Sequence, residues 1–194
     1  MKRIQDTALF LLVAAIVGQG SYLVLRRASG EDTRTPTAEL LVGDTVDSLE
    51  GHGKDGVPTT VPVYAERGWV TVLYVFDSQC AFCDDVAPKW RHHFATAGSG
   101  APGVRRIALT TDLPSSAARY ARRFGWQVDL LSISRLAETS PEYSLVSRTP
   151  WVYVFDSDGV LRFHDHGAEL ERIEQAVEAI FGDDTHQQHG QTLP

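Results

Sequence analysis

WVTVLYVFDSQCAFC, residues 69–83, joins two different patterns within fifteen positions. From Trp69 to Phe76 the side chains are β-branched, aliphatic or aromatic almost without interruption, as a strand buried on both faces requires. Asp77, Ser78 and Gln79 break that run. Cys80-Ala-Phe-Cys83 then opens a helical pattern through Val86, Ala87, Trp90 and Phe94 that stops near Gly98. At a helix start the unpaired backbone N–H groups and the helix dipole favour an anion, so a thiolate there is stabilised. Cys80 is placed to be the exposed attacking thiol. Cys83, one turn further in and on the same side, can attack a mixed disulfide formed at Cys80 and release the partner reduced. This is two-electron disulfide exchange that needs no cofactor. Asp84 and Asp85 share the first turn and oppose a thiolate beside them, which weakens its stabilisation.

Outward from this segment the chain continues in β-α-β-α order. A second buried strand is expected at residues 106–110, followed by a helix capped by Asp112 or Ser115, ending at Phe124 and stopped by Gly125. Residues 128–133 read as a short strand and 135–145 as a partly helical connection. Thr149-Pro150 precedes a strand at 151–155, and Asp156-Ser-Asp-Gly159 turns into a hairpin partner at 160–163. An amphipathic helix is expected over 169–181, with Leu170, Ile173, Val177 and Ile180 on one face. On the amino-terminal side, residues 43–62 carry short apolar pieces between glycines and prolines and read as a hairpin or loose entry strands ahead of the central strand.

The amino terminus has a different character. Residues 7–25, TALFLLVAAIVGQGSYLVL, are free of charge and flanked by Lys2, Arg3, Arg26 and Arg27. That length crosses a hydrocarbon core of about 30 Å at about 1.5 Å per residue. A signal peptide is the rival reading, but its apolar run is about 7 to 15 residues and ends in a small-x-small site. A buried helix is a third reading, weakened by the absence of a polar face. Positive charge is nearly balanced across the segment and leaves its orientation open. The expected organisation is an anchor at 1–27, a linker at 28–37, one α/β domain at 38–182 and a flexible polar tail at 183–194.

Composition narrows the function classes. The 194 residues are 43% hydrophobic and carry 25 acidic against 18 basic side chains, a net charge of -7. No basic face is on hand to follow a phosphate backbone, so nucleic acid is not an expected partner. Two cysteines exclude a disulfide-stapled scaffold and any metal or iron-sulfur site needing four. A zinc or copper site would need two ligands beyond Cys80 and Cys83, and neighbouring His92 and His93 do not complete a spaced set. The seven histidines, His164, His166, His186 and His189 among them, read most simply as surface residues. No P-loop is present.

Cys80-Ala-Phe-Cys83 after a buried strand, Pro88 five residues beyond the second cysteine, and Thr149-Pro150 before a strand and hairpin resemble the thioredoxin superfamily. With the amino-terminal segment and the lead-in strands, the chain is similar to the membrane-tethered TlpA/ResA-like thiol-disulfide oxidoreductases of bacteria, over roughly residues 40–181. The resemblance implies a thioredoxin-like α/β fold, a central mixed sheet flanked by helices, behind an amino-terminal transmembrane helix. It implies Cys80 and Cys83 as the catalytic pair, Pro150 as a cis-proline facing them, and Thr149 offering its backbone to a bound substrate strand. It further implies no cofactor and no metal, protein dithiol or disulfide clients, a membrane electron donor, and a single-pass location in the bacterial cytoplasmic membrane with the domain on the periplasmic or outer side. The resemblance makes Pro88 a kink in the active-site helix, structural rather than catalytic, while ordinary chain chemistry would make Pro150 a strand-opening proline.

Three positions depart from the family pattern. Ser78-Gln79 stands where many relatives carry Trp before the first cysteine. Val86 replaces the Glu frequent in tethered reductases, and Tyr74 replaces the buried Asp of cytosolic thioredoxins. The last two remove proton acceptors for Cys83, leaving Asp77 and Asp85 as nearby carboxylates. A client-binding or chaperone-like module with little redox activity is the alternative function. A peroxidase is a third, set back by Asp77 standing where peroxiredoxins place Thr.

Overall fold

The structure is a computed structural model and describes residues 39–66, 68–97, 103–133 and 143–189, with side chains described for all of these except 96–97 and 183–189. All of them belong to one unit, Thr37–Pro194. The elements run β1 (Ser48–His52), β2 (Pro58–Pro62), β3 (Val70–Val75), α1 (Ala81–Ala97), β4 (Val104–Thr110), α2 (Pro114–Phe124), β5 (Asp129–Ser132), α3 (Tyr143–Val146), β6 (Trp151–Phe155), β7 (Leu161–His166) and α4 (Leu170–His189).

Every residue of β3 is buried, the outcome its unbroken apolar run requires, because sheet neighbours and packed layers enclose it on all sides. The seven-stranded sheet has the order β2-β1-β5-β4-β3-β6-β7. β4 pairs parallel to β3 and β5 parallel to β4, pairings that need crossovers, which α1 and α2 supply. β6 pairs antiparallel to β3, and β7 antiparallel to β6. β1 and β2 form the amino-terminal hairpin, and β1 meets the sheet through His52 opposite Ser132.

Alternation along β3 sorts the core into two layers. Val70, Val72, Tyr74 and Phe76 face α1, α2 and α4, packing with Val86, Trp90, Phe94, Tyr120 and Ile173. Leu73 and Val75 face the other way, with Leu109, Leu131, Leu145, Tyr153 and Phe155. The first layer is rich in rings: Tyr74 lies edge-on to Trp90 at 5.2 Å and to Phe94 at 4.8 Å, while Phe76 stacks on Tyr120 at 5.1 Å.

Two local expectations are corrected. Neither Asp112 nor Ser115 caps α2; Leu113 holds the N-cap position with no side-chain bond, and Pro114 starts the helix, where its missing N–H leaves nothing unsatisfied. The Asp112 carboxylate bonds elsewhere, as described below. Gly125 does stop α2, at φ 68°, with its N–H returned to the last turn. At the other end, α4 continues past Gly182 to His189, into residues expected as a tail. Among the described residues no helix is long and apolar enough to cross a membrane; the candidate anchor at 7–25, the linker and most of the 135–145 connection lie outside the described residues.

Candidate active site

Cys80 stands at the carboxyl end of the central strand, where the chain turns into α1, the position at which open α/β sheets present ligands. Two carboxylates shape that turn. Asp77 Oδ1 accepts the Gln79 N–H at 2.7 Å, and Asp112 Oδ2 accepts the Ser78 N–H at 2.8 Å. The Cys80 N–H donates to the Asp77 carbonyl at 3.1 Å, and the Cys83 N–H returns to the Cys80 carbonyl at 3.0 Å. Asp112 is itself placed by its N–H on Thr110 Oγ1 and by its carbonyl accepting from Ser132. Asp77, expected as a substitute proton acceptor, therefore holds the loop in shape.

Both cysteines are free thiols, Cys80 part-exposed and Cys83 buried. The Cys80 Sγ donates to the Thr149 carbonyl at 3.8 Å, and the Thr149-Pro150 peptide is cis. Cys80, Cys83, Thr149 and Pro150 are thus brought to one place. Burial pushes the Cys83 thiol from 9.0 up to about 12; a backbone hydrogen bond from Asp77 and the Thr149 hydroxyl act against this, while Cys80 adds to it. The Thr149 side chain, which the sequence reading passed over in favour of its backbone, contacts the second cysteine.

The carboxylates that follow Cys83 behave differently from expectation. Asp84 pairs with Arg123 of α2 at 3.1 Å, so a cation offsets the charge that was expected to oppose a thiolate. Tyr74, in place of a buried acid, is fully enclosed; its hydroxyl donates to His93 Nδ1 at 2.9 Å, and His93 Nε2 donates to Glu174 Oε1 at 3.2 Å. His93 corrects the surface reading of the histidines, being 5% exposed. Burial, with Arg106 and His92 nearby, holds it down at about 4, so its contact with the exposed Glu174 is a hydrogen bond from a neutral ring at pH 7. His164 lies beside Trp151, whose Nε1 approaches its Nδ1 at 3.3 Å.

The apolar support comes from Trp90, whose Nε1 donates to the Gly167 carbonyl, while the Gly167 N–H donates to the Pro150 carbonyl at 3.1 Å. Two apolar side chains stand out from the surface: Phe82, between the cysteines, is 70% exposed, and Leu113, next to Asp112, is 65% exposed. Among the described residues no three His, Cys, Asp or Glu side chains gather as a metal site would require.

A mixed sheet with a Cys-x-x-Cys pair leaving its central strand, opposite a cis Thr-Pro turn and hairpin, is a thioredoxin fold. Solved structures similar to this chain agree. A peroxiredoxin-like protein from Aquifex aeolicus is 19% identical with a TM-score of 0.56, covering 73% of this chain and 88% of its own. The peroxidoxin BcpB from Mycobacterium tuberculosis is 20% identical at 0.55, covering 73% and 98%. A Chlorobium tepidum protein provisionally assigned as the thiol:disulfide interchange protein DsbE is 22% identical at 0.58, covering 73% and 99%. Likeness at these identities establishes the fold. No protein-family model matches the chain, and no curated protein does.

Proposed function

We propose that this protein is a membrane-anchored thiol-disulfide oxidoreductase that reduces disulfides of extracytoplasmic protein clients. The observation that carries the reading is the placement of a part-exposed Cys80 thiol at the start of α1, 3.8 Å from the Thr149 carbonyl, with Cys83 buried one turn behind it. The Cys80 thiolate attacks a client disulfide, forming a mixed disulfide and expelling one client thiolate. Cys83 gives up its proton and attacks Cys80 Sγ, expelling the second client thiolate and leaving the Cys80–Cys83 disulfide. The client gains two electrons and the enzyme loses them, so a membrane dithiol donor must return the pair to its reduced form. Thr149 presents its carbonyl to the client segment that carries the attacked sulfur, and Pro150 lines the same edge.

Burial of Cys83 supports the reductant direction. Its thiol is held up near 12, so no thiolate stabilisation at that sulfur favours the reduced form, and stabilisation of the reduced form is what makes a dithiol couple oxidising. Anchoring through residues 7–25 and the periplasmic or outer location rest on the sequence pattern, and thiol-disulfide or peroxide chemistry in the names of similar structures supports the redox class.

The test is the reduction potential of the full chain in detergent micelles, titrated in glutathione and dithiothreitol buffers, with Cys80→Ser as control. A reversible two-electron couple near about -270 mV supports the reductant, and one near about -120 mV reverses the direction of flow. If no couple appears, a client-binding module replaces the enzyme. Rapid consumption of hydrogen peroxide through Cys80 would replace it with a peroxidase.

A further inference from the structure

A cleft among the described residues is lined by neither cysteine. Its volume is about 750 Å³, and its walls include Phe94 of α1, Arg106 of β4, Arg122 of α2, Trp126, Asp129 of β5, and Lys54 of the β1-β2 turn. Parallel register sets Arg106 beside Val72, near the start of β3, whereas Cys80 follows the other end of that strand. Along α1, Phe94 is about 16 Å beyond Cys83 at about 1.5 Å per residue.

Charge in this cleft is unbalanced. Lys54, Arg106 and Arg122 bring three cations against one carboxylate, Asp129, and Asp129 also acts on Arg105. The Arg106 Nε and Nη1 atoms are buried with no hydrogen-bond partner among the described residues. On the core side Arg106 bonds the Tyr74 hydroxyl and lies near His93, both neutral at pH 7, with the Glu174 carboxylate beyond His93. Arg106 and Arg122 both line the cleft, and an anion there would accept charge-assisted bonds from them. The walls also carry two aromatic rings, Phe94 and Trp126, edge-to-face at 5.3 Å. A pocket of several hundred Å³ on which a few polar groups converge beside aromatic side chains is a common form of small-molecule site.

We propose that this cleft binds a small organic carboxylate with an apolar, aryl-sized body, its carboxylate on Arg106 and Arg122 and its body against Phe94 and Trp126. The site is separate from the redox pair, since neither Cys80 nor Cys83 lines it.

The test uses the full chain in detergent micelles with indole-labelled tryptophan; its four tryptophans give four indole N–H signals, assigned by Trp→Phe substitution. 3-Phenylpropionate is the probe, with 3-phenylpropionamide and inorganic phosphate as comparisons. The expected result is a saturable shift of the Trp126 signal by 3-phenylpropionate, weakened about tenfold or more in the neutral amide and by a similar factor in Arg106→Gln. Arg122 is exposed, so Arg122→Gln keeps the fold and should weaken binding about fivefold, while Cys80→Ser leaves it unchanged. An unmoved Trp126 signal at about 10 mM probe overturns the proposal. So does an amide that binds as well as the acid, phosphate that binds as tightly as the arylalkanoate, or an Arg122→Gln chain with unaltered affinity.

Discussion

The indole Nε1 of Trp90 donates to the Gly167 carbonyl at 2.7 Å, joining the middle of the cysteine-bearing helix to the turn that leads into α4. Gly167 in turn donates to the Pro150 carbonyl, so helix, turn and Thr-Pro edge hold one another. The site's two halves, seventy residues apart in sequence, keep a fixed separation through this contact and through the ring cluster around Tyr74.

Gly167→Ala tests that junction. A Cβ there would stand 2.4 Å from Trp90 Cζ2 and 3.1 Å from Pro150 Cβ, and neither ring can move without disturbing the core. Overpacking of this kind costs about 1–3 kcal/mol, read as a lower urea midpoint, and disulfide exchange should slow with it. Trp90→Phe leaves the Gly167 carbonyl unpaired and should cost a similar amount.

Cys83 should titrate far above a free thiol. In Cys80→Ser, thiolate absorbance near 240 nm, taken as the difference from Cys80→Ser/Cys83→Ser, should rise only well above pH 9. The same shift has a stability consequence: the folded thiol keeps its proton where the unfolded one loses it. That contribution is complete below about 9.0 and is lost as pH rises towards about 12. A Cys83 that titrates at its ordinary value would contradict the burial seen here.

Thr149→Val removes the hydroxyl that lowers Cys83 and keeps the carbonyl that meets Cys80. Cys83 should then titrate higher still, and the resolving step should slow, seen as accumulation of a mixed disulfide at Cys80. Thr149→Ser should restore both. Equal behaviour of the two variants would show that the hydroxyl has no part in resolution.

His93 links stability to acid. Its ring is held down at about 4 in the folded chain against 6.5 unfolded, so the unfolded state takes up the proton first as pH falls. The stability is complete above about 6.5 and declines as pH drops towards 4. In His93→Gln the fall in urea midpoint between pH 7 and pH 4.5 should be smaller than in the parent chain.

Arg123→Gln breaks the ion pair with Asp84 at a site where the two side chains are 61% and 37% exposed. Such pairs contribute about 0–1 kcal/mol, so the urea midpoint should move little at moderate salt, and any change in exchange rate would come from the uncovered Asp84 charge.

Much of the site was legible from local pattern. The buried strand, the cysteine pair at a helix start, the Gly125 stop and the hairpin after Thr149-Pro150 all follow from neighbours within a turn or a strand. Asp112 was misread for the same reason: as a residue just before a helix it looks like a cap, and its actual partner, the Ser78 N–H, is 34 positions away. His93 was placed on the surface because two adjacent histidines in a polar stretch of α1 give no sign that one of them turns inward to Tyr74.

By itself the sequence determined the order of buried strands and amphipathic helices, and with it where a dithiol would emerge, because backbone pairing and apolar periodicity act over short separations. Tertiary structure alone decided that Asp112 reaches across to hold the loop, that the Thr149 carbonyl meets Cys80, and that Gly167 must lack a side chain beside Trp90. Those contacts span 34 to 77 positions, and only the closing of the sheet and the packing of α1 against it bring such groups within bonding distance.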